Sequence, residues 1–169
     1  MPHIVLFGAS GFVGGSLLHK LLTSPPPGGD TSTITAVSGS QSKATQISSW
    51  AAWLSSRNLL SSSVKLQVEV AGRGETGFYD SAKKLAANAD LVVQAATSDD
   101  LRLTQVINEG LVQAKKAGRK GNLVHFSGIQ LIESEPVGHF VDVKNYSDVD
   151  LKAIAGISDD AAHRGIDLE

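Results

Sequence analysis

Segments with the pattern of strands alternate with segments with the pattern of helices along most of this chain, and this alternation limits the choice of fold. Aliphatic and β-branched residues are concentrated in five short runs, at residues 3–7, 31–38, 64–70, 90–96 and 122–127. Between these runs, apolar residues recur at steps of three and four, as on one face of a helix. Five strands joined by four helices predict an α/β fold, with a three-layer, doubly wound parallel sheet of about five strands.

Three packing expectations follow from the same patterns. The run at residues 64–70 alternates apolar residues with Lys65, Gln67 and Glu69, which is typical of an edge strand with one wet face. Gly110 is expected to let the fourth helix lie close to the sheet. Trp50 and Trp53 flank the apolar stripe of the second helix and are expected to cover the sheet.

The composition narrows the function classes. The chain has 169 residues, a net charge of −2 and no cysteine. This length fits one domain over residues 1–169, of which 129–169 are a partial, irregular extension because the periodic patterns weaken there. The charge gives no reason to expect a nucleic-acid partner, and disulfides and cysteine metal sites are excluded. No apolar run is long enough to span a membrane and no basic segment precedes the first strand, so a cytoplasmic protein with no membrane partner is expected.

A glycine-rich loop lies between the first strand and the first helix. Gly8, Gly11 and Gly14 fit the pattern G-x-x-G-x-x-G, which in this strand-to-helix setting predicts a dinucleotide site. Gly8 would turn the chain, Gly11 would let a pyrophosphate approach, and Gly14 would let the helix pack on the strand. No G-K-[ST] sequence follows, so a dinucleotide is favoured over a triphosphate. The start of the helix offers free N–H groups to the phosphates, so the loop residues Ser10, Phe12 and Val13 join the predicted site.

The end of the second strand bears on which dinucleotide binds. In dinucleotide folds an acidic residue at this position binds the ribose hydroxyls of NAD, but the segment AVSGSQSK contains none. Ser38, Ser40 and Lys43 have groups that can hydrogen-bond a 2′-phosphate, although the segment has no arginine to clamp one. The expected cofactor is therefore NAD(P), with a mild preference for NADP over NAD.

Three stretches together resemble a known family. FGASGFVGGSLL is similar to the glycine loop of the extended and atypical short-chain dehydrogenase/reductases, which include NAD-dependent epimerase/dehydratases and NmrA-like proteins. VVQAATSDD resembles the family's fourth strand, which implies that Ala95 and Ala96 lie beside the cofactor. LVHFSG resembles the fifth strand, which ends in a catalytic serine at Ser127. The resemblance covers nearly the whole chain, but only the N-terminal half to two-thirds of a typical family member, and it implies a Rossmann-like fold.

The family's catalytic set is incomplete in this sequence. Besides Ser127 it requires a tyrosine followed four residues later by a lysine, which lowers the pKa of the phenol. Tyr146 lies at a plausible distance from Ser127, but residue 150 is Asp150. Phe140 and Lys144 have the right mutual spacing, yet phenylalanine transfers no proton. Ser127 and Tyr146 are thus the candidate catalytic residues.

Two functions remain open at this point. The resemblance implies an oxidoreductase or epimerase-like enzyme that acts on a small carbonyl or hydroxyl substrate of unknown identity. The broken tyrosine–lysine pair favours instead a non-catalytic NAD(P)-binding redox sensor of the NmrA-like kind, or a truncated fragment. No metal site is expected, since the histidines show no ligand spacing. Unpaired strand edges leave association into a homo-oligomer open.

Overall fold

The computed structural model describes residues 1–24 and 31–126. Strands and helices alternate in the predicted order: β1 His3–Phe7, α1 Phe12–Thr23, β2 Ser32–Ser38, α2 Gln41–Ser56, β3 Val64–Val70, α3 Phe78–Ala87, β4 Leu91–Gln94, α4 Leu101–Lys116 and β5 Asn122–His125.

The five strands form one parallel sheet in the order β3-β2-β1-β4-β5. The chain first builds outward from β1 to β3 and then returns to continue on the other side of β1. The strand order therefore reverses between β1 and β4, and it is at such a reversal that open α/β sheets bind ligands, beyond the carboxyl ends of the strands. The predicted α/β fold with a doubly wound parallel sheet is confirmed.

Two apolar layers hold the helices on the sheet. On one face, Leu18 of α1 and Leu54 of α2 pack with Leu6 and Ile34 of the central strands. On the other face, α3 and α4 pack against Val5 and Phe7 of β1, Val37 of β2 and Val92 of β4. The central strands read as continuous apolar runs because both of their faces are covered.

The edge strand β3 differs from the central strands. It pairs only with β2 among the described residues, and Lys65, Gln67 and Glu69 are exposed along one of its faces. Val64, Leu66 and Val68, on the other face, pack against the layer beneath α2. The predicted edge strand with one wet face is confirmed.

One packing expectation is wrong, and another holds for only one of its two residues. A Cβ on Gly110 would lie 2.5 Å from the carbonyl oxygen of Lys83 and 2.7 Å from the Cβ of Ala86, so this glycine brings α4 close to α3 rather than to the sheet. Trp53 is half exposed and lies under the guanidinium of Arg57, 5.7 Å from its ring centroid. Only Trp50 packs against the apolar layer. No helix in the described part of the chain is long and apolar enough to cross a membrane.

Candidate functional site

The glycine loop lies at the carboxyl end of β1, where the strand order reverses. Gly8 has a φ of +78°, which side-chain-bearing residues rarely adopt. A Cβ on Gly8 would also lie 2.6 Å from the carbonyl oxygen of Ala95 and 2.7 Å from the Cα of Ala96. The loop after β1 and the loop after β4 are thus in direct backbone contact. Gly8 is required both for the turn and for this contact.

The other two glycines of the motif have different surroundings. A Cβ on Gly14 would collide with the carbonyl oxygen of Gly8, so Gly14 lets α1 pack on the end of β1, as predicted. Gly11 is exposed, and its φ of −82° and ψ of 173° are open to any residue. Among the described residues, the one atom close to an added Cβ is the carbonyl oxygen of Gly8, 3.2 Å away. Packing explains two glycines fully, and it explains the third only weakly.

The first turn of α1 has backbone donors that no described side chain caps. The helix has no side-chain cap and no acidic residue in its first turn, whereas Ser40 caps α2 and Asp100 caps α4. The N–H groups of Phe12 and Val13 precede the first acceptors within the helix. The ring of Phe12 is 93% exposed and does not shield them. The positive end of the helix dipole and these N–H groups therefore lie together at the start of α1, where residues 11–13 are exposed.

A buried glutamine at the end of β4 shapes the neighbouring loop. Gln94 is fully buried. Its amide nitrogen donates to the carbonyl oxygen of Thr97 at 2.6 Å, and its amide oxygen accepts from the N–H of Ala96 at 2.7 Å. These bonds hold the segment containing Ala95 and Ala96 against Gly8. The sequence motifs did not identify Gln94. The available signal was a polar residue within an otherwise apolar strand.

At the end of β2, the two serines of the predicted phosphate site serve the turn. Ser38 is 1% exposed, and its hydroxyl donates to the carbonyl oxygen of Ser40 at 3.2 Å. The Ser40 hydroxyl accepts from the N–H of Lys43 at 3.4 Å. The Lys43 side chain is exposed and lines a groove of about 280 Å³ between α1 and α2, together with Ser10. Lys43 and Ser10, from different elements, thus lie at one groove beside the glycine loop.

No sequence pattern predicts the arginine that reaches this corner from the loop after β3. Arg73 lines a cavity of about 120 Å³ together with Gly8, Ser38 and Gly39. Its Nε donates to Asp100 at 2.8 Å, and the Arg73 side chain remains 57% exposed while that of Asp100 is 5% exposed. An arginine is therefore present at the end of β2, although it comes from a different segment.

Asp100 organises this corner of the site. One of its carboxylate oxygens accepts from the N–H of Leu103 at 2.9 Å and from the hydroxyl of Tyr79 at 3.4 Å. The other binds Arg73. A single buried carboxylate thus caps α4 and orients the guanidinium.

The candidate catalytic residues Ser127 and Tyr146 lie outside the described residues. The structure does describe β5 up to Phe126, whose N–H donates to the carbonyl oxygen of Gln94 at 3.0 Å. The carboxyl end of β5 therefore lies beside that of β4. In the described part of the chain, no three His, Asp or Glu residues are grouped so that they could hold a metal ion.

Comparison with models of protein families and with curated proteins gives no match for this chain.

Proposed function

We propose that this chain binds a nicotinamide dinucleotide across the carboxyl ends of its parallel strands, with NADP preferred over NAD. The observation that carries the proposal is the surface at the start of α1. There, uncapped N–H groups, the helix dipole and an exposed glycine with little packing reason to be glycine occur together at the reversal of strand order. Each of these features favours the binding of a pyrophosphate.

Charge supports the preference for NADP. Lys43 and Arg73 lie on either side of the turn that follows β2, and no carboxylate lies in the segment from Ser38 to Lys43. A carboxylate at this turn would repel a 2′-phosphate, whereas a guanidinium and an ammonium attract one. Arg73 donates its Nε to Asp100, and no described residue bonds the two terminal nitrogens of its guanidinium, which would meet the ligand.

The residues on the two sides of the loop would have separate tasks. The N–H groups of Phe12 and Val13 would bind the pyrophosphate, and the absence of a side chain at Gly11 would let it approach. Gln94 holds Ala95 and Ala96 in place, where they would border the cofactor. When bound, the nicotinamide would supply a hydride donor or acceptor.

An oxidoreductase or epimerase-like activity on a small carbonyl or hydroxyl compound stays a prediction from the resemblance. It depends on Ser127 and Tyr146, which lie outside the described residues. Oxidation of NADPH in the presence of a panel of aldehydes and ketones tests it. A Tyr146→Phe variant with unchanged turnover would remove the tyrosine from the mechanism.

Equilibrium titration of the full chain with NADPH, NADH and ATP tests the binding proposal. We expect saturable binding of both dinucleotides, tighter for NADPH, and much weaker binding of ATP, because the loop lacks a lysine for a triphosphate. Absence of binding of either dinucleotide at millimolar concentration would overturn the proposal.

A further inference from the structure

The outer edge of β3 carries a pattern that is complementary to itself. The carbonyl oxygen of Ser63 accepts from Ser32, and the N–H of Ala71 donates to Ser38. These bonds fix the alternation of the strand, because in a parallel pair the two backbone groups of one residue point the same way. The backbone N–H and C=O groups of the odd-numbered residues of β3 point toward β2. Those of Leu66 and Val68 therefore point outward, away from the sheet. No described strand pairs with them.

On the wet face of β3, two side chains of opposite charge lie at equal distances from Gln67. Lys65 lies two residues before Gln67 and Glu69 lies two residues after it. In an antiparallel pair of two copies with Gln67 on the twofold axis, Lys65 of each copy is directly opposite Glu69 of the other. A register centred one residue to either side leaves both charges without an opposite partner.

The backbone permits the same register. With Gln67 on the axis, Leu66 of one copy is opposite Val68 of the other. Both residues point their backbone groups outward, so the two equivalent pairs form four hydrogen bonds. Lys65 and Glu69 then occupy positions of the pair without hydrogen bonds, where opposite side chains lie closest. Backbone alternation permits every register centred on a single residue, and among these the charges select the one centred on Gln67.

We propose that β3 is a homodimer interface through which two copies of this chain join their sheets, with five described strands from each, into one continuous sheet that has an antiparallel pair at its centre. Edge strands often carry a lysine that repels other strands, but a lysine and a glutamate at equal distances from a central residue attract a second copy. The partner is a second copy because the pattern is complementary to itself. The interface does not involve the nucleotide site, so its test is independent of NAD(P) binding.

Cysteine cross-linking tests the register directly, because the chain has no cysteine of its own. Across a pair without hydrogen bonds, the Cα atoms are about 4.5 Å apart, within the range of a disulfide. A Gln67→Cys variant should therefore form a covalent dimer on mild oxidation. A Ser62→Cys variant is the matched control, since its two copies would be ten strand positions apart, about 33 Å at 3.3 Å per residue. It should stay uncross-linked.

A second test reverses the charges on β3 and measures the association of the variants by analytical ultracentrifugation. Lys65→Glu and Glu69→Lys each place like charges opposite one another twice, and each should raise the dimer dissociation constant about tenfold or more. The double variant Lys65→Glu/Glu69→Lys restores both opposite pairs and should dimerise like the unmodified chain. An equimolar mixture of the two single variants should form a heterodimer for the same reason.

Several results would overturn the proposal. The first is an unmodified chain that sediments as a monomer at high micromolar concentration. The second is equal cross-linking of the two cysteine variants, and the third is a dimer dissociation constant that charge reversal leaves unchanged. Circular dichroism of each variant shows whether the fold is kept. Lys84→Glu, an equal charge change on the exposed side of α3, should leave the association unchanged.

Discussion

Replacing Gln94 by leucine removes the polar clamp on the loop after β4 while keeping the size of the side chain. Gln94 is fully buried and makes two short hydrogen bonds, to the carbonyl oxygen of Thr97 and the N–H of Ala96, and a longer one of 3.4 Å to the N–H of Thr97. A net contribution of about 1 kcal/mol for each short bond predicts a loss of roughly 2 kcal/mol in the free energy of unfolding. Ala96 is exposed and Thr97 is half-buried, so water can reach the loop and the cost of an unsatisfied backbone group is not added.

Urea denaturation followed by circular dichroism measures this loss. A loss of roughly 2 kcal/mol corresponds to a decrease of about 4–8 °C in Tm for a chain of this size. The matched control is Gln113→Leu on the exposed surface of α4, which should stay within about 0.5 kcal/mol of the unmodified protein. A Gln94→Leu variant as stable as this control would refute the role assigned to the buried amide. The loosened loop should also weaken NADPH binding.

Three further predictions address packing, cofactor preference and pH. Gly110→Ala should destabilise the protein by about 1–2 kcal/mol in urea denaturation, because overpacking against α3 at 2.5 Å outweighs the roughly 1 kcal/mol gain in helix propensity; a stabilised variant would contradict the contact. Arg73→Ala should weaken NADPH binding about tenfold, or 1.4 kcal/mol, and NADH binding much less, and equal losses in titration would place Arg73 away from the 2′-phosphate. The hydrogen bond from Lys83, and then its charge, hold the pKa of Glu109 below 4.5. This pair therefore stabilises the fold at neutral pH and loses its effect as the pH falls through that lowered pKa. Lys83→Ala should return the pKa to its ordinary value in a carboxyl NMR titration, and an unchanged pKa would show that the pair does not form in solution.

Local patterns were sufficient to predict the order of elements and the sheet. Buried parallel strands such as β1 are apolar at nearly every position, and the period of the pattern changes sharply at the glycine loop. The ends of strands were less well predicted. The runs at 90–96 and 122–127 extend beyond β4 and β5. At β4 the side chain of Gln94 forms hydrogen bonds with the N–H of Ala96 and the carbonyl oxygen of Thr97. These backbone groups therefore do not extend the strand.

The residues that the sequence did not reveal depend on contacts between distant segments. Arg73 reaches the end of β2 from the loop after β3, and no spacing rule connects it to Ser38. The approach of Gly110 to α3 likewise depends on which neighbour lies across from it, and the helical period alone does not specify that neighbour. The glycine motif was predictable because all of its parts lie within one short segment.

Titration of a Gly11→Val variant with NADPH tests the central claim most directly. The backbone angles of Gly11 suit valine, and the carbonyl oxygen of Gly8, 3.2 Å from an added Cβ, has to shift by only a few tenths of an ångström. Circular dichroism should therefore show an intact fold, while the added side chain would block the pyrophosphate. We predict at least a tenfold loss of affinity, about 1.4 kcal/mol, against no change for Ser49→Val on the exposed face of α2. Unchanged NADPH affinity in a folded Gly11→Val variant would contradict a dinucleotide site at the glycine loop.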